Sequence, residues 1–336
     1  MSEAKFPSVA IIGSGSFGIA LASLLAPKLE SVLIIGRDPL AAEAINSQHR
    51  SPQYLSAVML DVKIRASCSL ADALPHRLII FAVPTSATRE TALKLGNSNL
   101  PVETILLSCA KGIEKHTGDR MSQILREVFP NNPIAALSGP NHAEEIARKL
   151  ATCAVIGSED HSLAVRLQEL FTLPHFRSYT SDDLAGIELG GALKNVYAIA
   201  AGMAHGLGLG DNAVAALVTR ALAEMTRLGT ALGGRIETFS GLSGMGDLLV
   251  TCFSEHSRNH RVGFALGSGK TLEEAVAALG MVAEGVPNTL SIYEAARRAD
   301  VRTPIIDAVY GILYLGNAVP LGMQQLLNRD PRPENS

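Results

Sequence analysis

The chain has 336 residues, of which 47% are hydrophobic and 18% are charged. This length is sufficient for two domains, and the composition is that of a folded globular protein. The net charge of -3 at pH 7 excludes a general basic surface for nucleic acid. We therefore expect no nucleic-acid partner, and any anion-binding site must be local.

The sequence carries no sign of export or of a membrane span. No basic segment followed by an apolar run stands at its start, so no signal peptide is predicted. The small-residue stretch 187–218 is interrupted by Glu188, Lys194 and Asp211, which argues against a membrane-spanning helix. We predict a cytoplasmic protein whose four separated cysteines are reduced core residues, namely Cys68, Cys109, Cys153 and Cys252.

The first half of the chain alternates short apolar runs with helical patterns. Near-continuous apolar runs are typical of strands that are buried on both faces of a parallel sheet. We predict strands at 9–12, 31–35, 78–83, 104–108, 134–137, 153–156 and 176–179. We predict helices at 17–26, 39–47, 87–95, 119–127, 141–149 and 161–171. This rhythm predicts a Rossmann-like, doubly wound, mostly parallel α/β domain that binds a dinucleotide over residues 1–182.

After residue 182 the pattern becomes helical. Helices are predicted at 183–202, 211–232, 246–252, 258–267, 272–279, 287–299 and 304–315. The segment TLEE at 271–274 is a capping box that opens one of them. We therefore predict an all-helical substrate-binding and catalytic domain over 183–328, followed by a frayed, proline-rich tail at 329–336.

A glycine-rich segment, GSGSFG at 13–18, follows the first predicted strand and opens a helix. Glycines in this pattern permit a tight turn, admit a pyrophosphate close to the backbone and let helix and strand pack closely. The helix N-terminus adds partial positive charge at the same point. Gly13, Gly15 and Gly18 therefore predict a dinucleotide-binding loop, and a tight turn without a ligand is the alternative.

The second predicted strand ends at Arg37 and Asp38, where the adenosine ribose of a dinucleotide lies. An acidic residue there binds the ribose 2′-OH of NAD, whereas an arginine accepts the 2′-phosphate of NADP. Arg37 favours NADPH, and the adjacent Asp38 leaves NADH open. A surface cation without a ligand is the other interpretation of Arg37.

Lys194 stands in an unusual place for a lysine, within the small-residue helix predicted at 183–202. At 3.6 residues per turn it shares a face with Ile187, Gly190, Gly191, Ala198 and Ala201. An ammonium on such a face is either buried with a lowered pKa or held charged by an anionic partner. Both states are typical of proton transfer or anion binding. Alternatively, the side chain snorkels to the surface.

Further polar residues accompany this lysine. Lys111 follows an apolar strand, which places a cation at the ligand-binding edge of the sheet. The segment SGPN at 138–141 follows another strand and offers backbone N–H groups to an anion. Asp247 is an isolated charge in a glycine-rich and apolar stretch, either as a helix cap or as the anion that orients a buried lysine.

The cluster SRNHR at 257–261 opens another predicted helix. An arginine fork beside amide and hydroxyl groups suits a phosphate, and an exposed basic helix start is the alternative. His256 and His260 are four residues apart, but no third ligand is signalled nearby. We therefore predict no metal site.

Together these segments resemble the NAD(P)-dependent glycerol-3-phosphate dehydrogenase family, most closely its bacterial branch, over about residues 8–325. The resemblance is carried by GSGSFG at 13–18, KGIE at 111–114, LSGP at 137–140, GALKN at 191–195, GLGLGDN at 206–212, GDL at 246–248, SRN at 257–259 and EGV at 284–286. It implies the reversible NAD(P)H-dependent reduction of dihydroxyacetone phosphate to sn-glycerol 3-phosphate, which supplies the backbone of phospholipids. It also implies a homodimer.

The resemblance implies roles at matching positions, with Lys194 as the catalytic proton donor and acceptor. Substrate would contact Lys111, Gly139, Asn141, Lys194, Asp247, Ser257, Arg258 and Asn259. Cofactor would contact the glycine loop and Ser16, Phe17, Arg37, Tyr54, Lys111, Ala143, Arg258, Val282 and Glu284. Phe17 replaces the usual Trp or Tyr and Asn141 the usual Thr, so we expect changes in affinity rather than in chemistry.

Two other functions remain open at the level of sequence. Two-domain dehydrogenases that act on a β-hydroxy acid or on ketopantoate share this build and also carry a lysine on the first long helix of the second domain. A non-catalytic NAD(P)-binding sensor is the rival from a different class. Such a sensor needs neither a buried lysine nor a phosphate-binding cluster.

Overall fold

The computed structural model describes residues 6–280 and 283–327. Its strands are β1 (Ser8–Ile12), β2 (Ser31–Ile35), β3 (Ile64–Ser67), β4 (Leu78–Phe81), β5 (Ile105–Ser108), β6 (Ile134–Ser138), β7 (Thr152–Gly157) and β8 (Phe176–Ser181). They form one sheet in the order β3-β2-β1-β4-β5-β6-β7-β8. Strand β7 is antiparallel to β6, and the other neighbouring pairs are parallel. The predicted doubly wound, mostly parallel sheet is confirmed.

The helices of the first half flank this sheet. They are α1 (Ser16–Leu25), α2 (Pro39–Gln48), α3 (Thr88–Gly96), α4 (Met121–Val128), α5 (Ala143–Ala147) and α6 (His161–Phe171). Each follows the sequence prediction to within two residues at either end. The apolar residues of the strands form the core on both faces of the sheet, as expected for buried parallel strands.

The second half of the described chain is helical. Its helices are α7 (Leu184–Gly206), α8 (Asp211–Ala231), α9 (Ile236–Phe239), α10 (Asp247–Phe253), α11 (Arg258–Gly267), α12 (Leu272–Ala277), α13 (Gly285–Arg298), α14 (Pro304–Leu315) and α15 (Val319–Leu327). A π-helical turn at Leu242–Gly246 leads into α10. The capping box of α12 is confirmed, because Thr271 and Glu274 exchange backbone-to-side-chain hydrogen bonds. No helix of the described residues is both long and apolar enough to cross a membrane.

Helix α7 is buried almost throughout and forms the axis of the helical half. It meets α11 at backbone level: Gly202 on α7 lies against the carbonyl of His260, and Gly263 on α11 lies against the carbonyl of Ile199. A Cβ at either glycine would overlap these backbone atoms, so only glycine permits this approach. The contact brings the start of α11 close to the middle of α7, where Lys194 lies.

Some sequence predictions were wrong or lie outside the described residues. Strand β3 was missed because it is short and carries the exposed Arg65 instead of an apolar run. Helix α15 was missed because it contains a proline and a glycine near its start. Cys68 is exposed rather than in the core, since it directly follows the edge strand β3. The boundary between residues 182 and 183 stays a prediction, and the tail at 329–336 lies outside the described residues.

Candidate functional site

The turn between β1 and α1 has the geometry of a phosphate-binding loop. Gly13 has a φ of 124°, and a Cβ there would lie 2.5 Å from the carbonyl oxygen of Ala82. Gly18 packs against the backbone of Gly13, which brings α1 close to the strand. Gly15 faces open space, so the N–H groups of the first turn of α1 are accessible to a ligand. These three positions fit the three tasks that glycine has in a dinucleotide loop.

Arg37 and Asp38, at the end of β2, are the two candidates for contact with the cofactor ribose. The side chain of Asp38 accepts a hydrogen bond from the backbone N–H of Leu40 at 2.9 Å and so caps α2. Arg37 is exposed beside it. Phe17 and Tyr54 are half-buried and pack against the core cluster that includes α1. One oxygen of the Asp38 carboxylate is thus used by its own helix, and the exposed Arg37 precedes it at the end of β2.

Lys194 is buried and paired. The residue lies on α7 and is 5% exposed, and its Nζ donates to Asp247 Oδ1 and, at 2.7 Å, to Thr251 Oγ1. Thr251 lies one turn after Asp247 on α10 and also donates to the Asp247 carbonyl oxygen at 2.5 Å. Burial lowers the pKa of Lys194 to about 8, although the Asp247 carboxylate acts to raise it. The interpretation of Lys194 as a snorkelling cation is therefore wrong.

Lys111 holds the second oxygen of the same carboxylate. Its Nζ donates to Asp247 Oδ2, to the Gly139 carbonyl oxygen and to Asn141 Oδ1, each at 2.8 Å. These acceptors use all three N–H donors of the ammonium. Asp247 is 1% exposed; burial would raise its pKa, but the charges of Lys111 and Lys194 hold that pKa below its ordinary value. Asp247 therefore bridges two lysines, as the interpretation of an orienting anion expects.

The main chain of Lys111 is held by buried asparagines. Its carbonyl oxygen accepts from Asn195 Nδ2 at 2.9 Å and from Asn288 Nδ2 at 3.0 Å. Asn195 Oδ1 accepts from Asn259 Nδ2 at 2.9 Å, and Asn259 Oδ1 accepts from the Gly285 N–H at 2.9 Å. These bonds join the loop after β5 to α7, α11 and α13. Both functional groups of the Asn259 side chain are used within the protein.

The start of α11 lies at the same edge. Ser257 is the N-cap of α11, and its hydroxyl accepts from the N–H of His260 at 3.2 Å. Glu284 accepts from the N–H of Thr85 at 3.3 Å. Burial raises the pKa of Glu284, whereas the hydrogen bond from Thr85 and the charge of Arg258 oppose that rise. Arg258 and Glu284 therefore lie near one another and near the loop that follows β4.

Buried polar atoms without a hydrogen-bond partner collect around this edge. Ser108 and Ser138 end β5 and β6, where parallel sheets bind ligands. Within residues 6–280 and 283–327, the buried atoms without a partner include Ser108 Oγ, Ser138 Oγ, Asn141 Nδ2 and His142 Nε2. Native proteins leave few such atoms unpaired, so their concentration here indicates a polar ligand.

Gly190 and Gly191 explain how α7 fits beside this edge. Gly190 makes room for the backbone of Ser243, and a Cβ at Gly191 would lie 2.7 Å from Ser138 Oγ and 3.3 Å from Lys111 Cγ. The bare face of α7 is thus filled by neighbouring protein chain. Ala143 begins α5 and is buried in the core against α1. The predicted cofactor residue Val282 lies outside the described residues.

Several residues of the site were missed in the sequence. Thr251 had a signal, because a position four residues after Asp247 on a helix shares its face. Asn195 directly follows Lys194, but nothing in its context distinguished it. His142 is half-buried; desolvation and then the charges of Lys194 and Lys111 lower its pKa to about 4, which keeps the ring neutral. Asn288 had no signal at all.

The described residues contain no group of three or more His, Cys, Asp or Glu side chains that could hold a metal ion. Of the two histidines four residues apart, His260 is hydrogen-bonded to His205 at 2.8 Å. His256 instead makes an edge contact with the ring of His142.

Two family models match the chain. The model for the N-terminus of NAD-dependent glycerol-3-phosphate dehydrogenase covers residues 8–164, and that for the C-terminus covers residues 183–322. The chain belongs to this family. A glycerol-3-phosphate dehydrogenase (NAD(P)+) of Clostridium botulinum is 45% identical over 97% of this chain and 98% of its own. The enzyme of the same name from Enterococcus faecalis is 43% identical over 97% of both chains.

Solved structures agree with this membership. The glycerol-3-phosphate dehydrogenase of Coxiella burnetii matches with a TM-score of 0.93 at 34% identity, over 97% of this chain and 99% of that one. A ketopantoate reductase of Ralstonia eutropha matches with a TM-score of 0.62 at 18% identity, over 96% of this chain and all of that chain. The latter likeness shows a shared fold only. The predicted resemblance to the dehydrogenase family is confirmed.

The bridge through Asp247 leads to a prediction on stability. In Asp247→Asn, the buried ammonium of Lys194 and the half-buried ammonium of Lys111 stay beside an uncharged amide, so we expect the free energy of unfolding at pH 7 to fall by about 3–5 kcal/mol. Urea unfolding measures it. Asp182→Asn is the matched control, because Asp182 pairs with Arg235 at an exposed position. Equal effects of the two substitutions would contradict a buried bridge.

Proposed function

We propose that this enzyme catalyses the reversible NAD(P)H-dependent reduction of dihydroxyacetone phosphate to sn-glycerol 3-phosphate and so supplies the backbone of phospholipids. One observation carries the proposal: a buried lysine with a lowered pKa, Lys194, lies against a carboxylate at the ligand edge of a dinucleotide-binding sheet. The relatives that share the chain nearly end to end bear the name of this enzyme. They use NAD(P)+, which agrees with the glycine loop found here.

Lys194 is the proton donor in this proposal. The reduced nicotinamide, when bound, supplies hydride to the carbonyl carbon of the substrate. Within residues 6–280 and 283–327, Lys194 Nζ donates to Asp247 and Thr251, which commits two of its three N–H donors. The third is directed to the substrate oxygen, where the ammonium stabilises the developing charge and then transfers its proton. In the reverse reaction the neutral amine accepts the hydroxyl proton.

Asp247 and Lys111 prepare Lys194 for this exchange. Asp247 fixes the position of the ammonium, because its Oδ1 is the acceptor on the lysine. Lys111 places a second positive charge on the other side of the carboxylate. Burial is the main cause of the lowered pKa of Lys194, and the charge of Lys111 lowers that pKa further. Asn141 orients Lys111 through Oδ1 and keeps Nδ2 for a substrate hydroxyl or carbonyl.

Arg258 is the proposed ligand of the substrate phosphate, together with the N–H groups of the first turn of α11. Ser257 supports them as the cap of that helix, and Asn259 supports them through its bonds to Asn195 and Gly285. Gly139 contributes a carbonyl oxygen that holds Lys111. Gripping the phosphate at a distance from the carbonyl aligns the reacting carbon with the nicotinamide.

The cofactor contacts form the second part of the proposal. The N–H groups around Gly15, Ser16 and Phe17 bind the pyrophosphate, and the ring of Tyr54 borders the adenosine end. The resemblance to the family adds Ala143, Val282 and Glu284 as further cofactor contacts. Arg37 is the first exposed polar residue after β2, and one oxygen of Asp38 is already used to cap α2, so we propose that NADPH is preferred over NADH.

A homodimer and a cytoplasmic location complete the proposal. The dimer is supported by the resemblance to the family and by exposed apolar side chains of the helical half, such as Phe253 and Leu315, which offer area for a second copy to cover. The cytoplasmic location is supported by the four cysteines, which are free. Sedimentation of the purified protein tests the dimer, and a single species with the mass of one chain would contradict it.

The role of Lys194 is tested by Lys194→Ala with dihydroxyacetone phosphate and, in parallel, ketopantoate as substrates. We expect the wild type to oxidise NADPH with dihydroxyacetone phosphate only. The variant should lose about 10²–10⁴-fold in kcat, because the general acid is missing. NADPH binding, measured by fluorescence, should be retained. Near-normal turnover of the variant would refute the role, and turnover of ketopantoate alone by the wild type would refute the substrate.

The preference for NADPH is tested by Arg37→Ala. We expect kcat/KM for NADPH to fall about 10–100-fold, because a charge-assisted contact to the 2′-phosphate is lost. The value for NADH should change little, since NADH carries no phosphate there. Arg177→Ala removes another exposed arginine and is the control. Equal losses with both cofactors in Arg37→Ala would contradict the assignment.

A further inference from the structure

The carbonyl oxygen of Lys111 accepts two amide donors, one of which has no part in the chemistry described above. Asn195 Nδ2 donates to it at 2.9 Å from α7, and Asn288 Nδ2 donates at 3.0 Å from α13. A carbonyl oxygen has two lone pairs, so both are used. Two separate helices therefore fix the same backbone atom.

The side-chain amide of Asn288 lies directly against the backbone of the loop that carries Lys111. It lies in the first turn of α13 and is 2% exposed. A Cβ on Gly112 would lie 2.6 Å from Asn288 Oδ1 and 2.7 Å from Nδ2. The absence of a side chain at Gly112 thus lets the amide of Asn288 reach the preceding carbonyl. The position of Asn288 and the path of the loop depend on each other.

The bonds around Asn288 close a ring. From Lys111 it passes through Asn195 and Asn259 to the N–H of Gly285 at the start of α13, and Asn288 returns from α13 to Lys111. Every member is part of a buried or half-buried polar network, where a missing partner is costly. Without Asn288 the ring opens, and the Lys111 carbonyl retains only the bond from Asn195.

We propose that Asn288 is a positioning residue, which fixes the Lys111 main chain so that the Lys111 ammonium meets Asp247, Gly139 and Asn141 together. The inference rests on the proposed function of this site. All three acceptors lie at 2.8 Å from Nζ, so a shift of the loop by about 1 Å would take at least one of them beyond hydrogen-bonding range. Misplacement of this size at an active site can cost about 10²-fold in rate.

The test compares Asn288→Leu, which keeps the approximate size but removes the donor, with Thr289→Val. Thr289 is the matched control, because it is buried on the same helix and its hydroxyl donates only to the Gly285 carbonyl of that helix in the described contacts. For Asn288→Leu we expect kcat/KM with dihydroxyacetone phosphate to fall about 10–100-fold. Asn288→Ser, which retains a shorter donor, serves if the leucine variant does not fold, and should show a smaller loss.

A pH profile separates positioning from a general structural effect. The charge of Lys111 helps to hold down the pKa of Lys194. If Lys111 withdraws in Asn288→Leu, the pKa of Lys194 rises, and the decline of the reduction rate at high pH moves to higher pH. Thr289→Val should leave that pH unchanged. An unshifted profile in the Asn288 variants would overturn the proposal.

A double-mutant cycle is a second test of the role of Asn288. In a Lys111→Met background there is no ammonium to position. Residues that act through one another have non-additive effects, so adding Asn288→Leu to that background should lower kcat/KM by less than about 3-fold. A loss as large as in the wild-type background would overturn the proposal.

Failure of the proposed function is recognised separately, as a wild-type enzyme that does not turn over dihydroxyacetone phosphate. In that case hydrogen exchange of residues 109–114, followed by mass spectrometry, decides the role of Asn288. We expect exchange at least about 10-fold faster in Asn288→Leu than in Thr289→Val, because the loop has lost a buried bond. Equal exchange in the two variants would overturn the proposal.

Discussion

The carboxylate of Asp247 lies between two ammonium groups, with Lys194 at one oxygen and Lys111 at the other. Buried charges are tolerated only when they are paired and hydrogen-bonded. The three residues come from α7, α10 and the loop after β5, so their pairing requires the helical half to sit against the ligand edge of the sheet. The contact between α7 and α11 and the asparagine ring maintain that arrangement.

The charges of Lys194, Lys111 and Asp247 suit a negatively charged substrate. Two ammonium groups and one carboxylate leave one net positive charge in a chain whose formal net charge is -3. The positive charge that an anionic substrate requires is therefore local, and the proposed function adds Arg258 to it. The same set gives Lys194 a pKa of about 8, because burial removes water from the ammonium while Asp247 restores part of its stability. A group of this pKa exchanges protons readily near neutral pH.

Much of the fold could be predicted because local patterns determine it. The glycine loop and the apolar strands follow from local sequence patterns, whereas the isolated Asp247 left a helix cap and a buried lysine partner equally open. Strand β3 was not predicted because its exposed Arg65 interrupts the apolar run. Asn288 could not be predicted because its proposed role depends on a carbonyl far away in sequence, which no spacing on α13 reveals. Likewise, only the structure shows that Asp38 is used to cap α2.

The central claim is that Lys194, held by Asp247, carries the proton of the reaction with a pKa of about 8. The most direct test is the pH dependence of kcat/KM in both directions between pH 6 and 10. Reduction requires the ammonium, so its rate should be level at low pH and fall about tenfold per pH unit above 8. Oxidation requires the amine, so its rate should rise up to the same pH and then level off. Profiles that lack this opposite dependence around pH 8 would contradict the account.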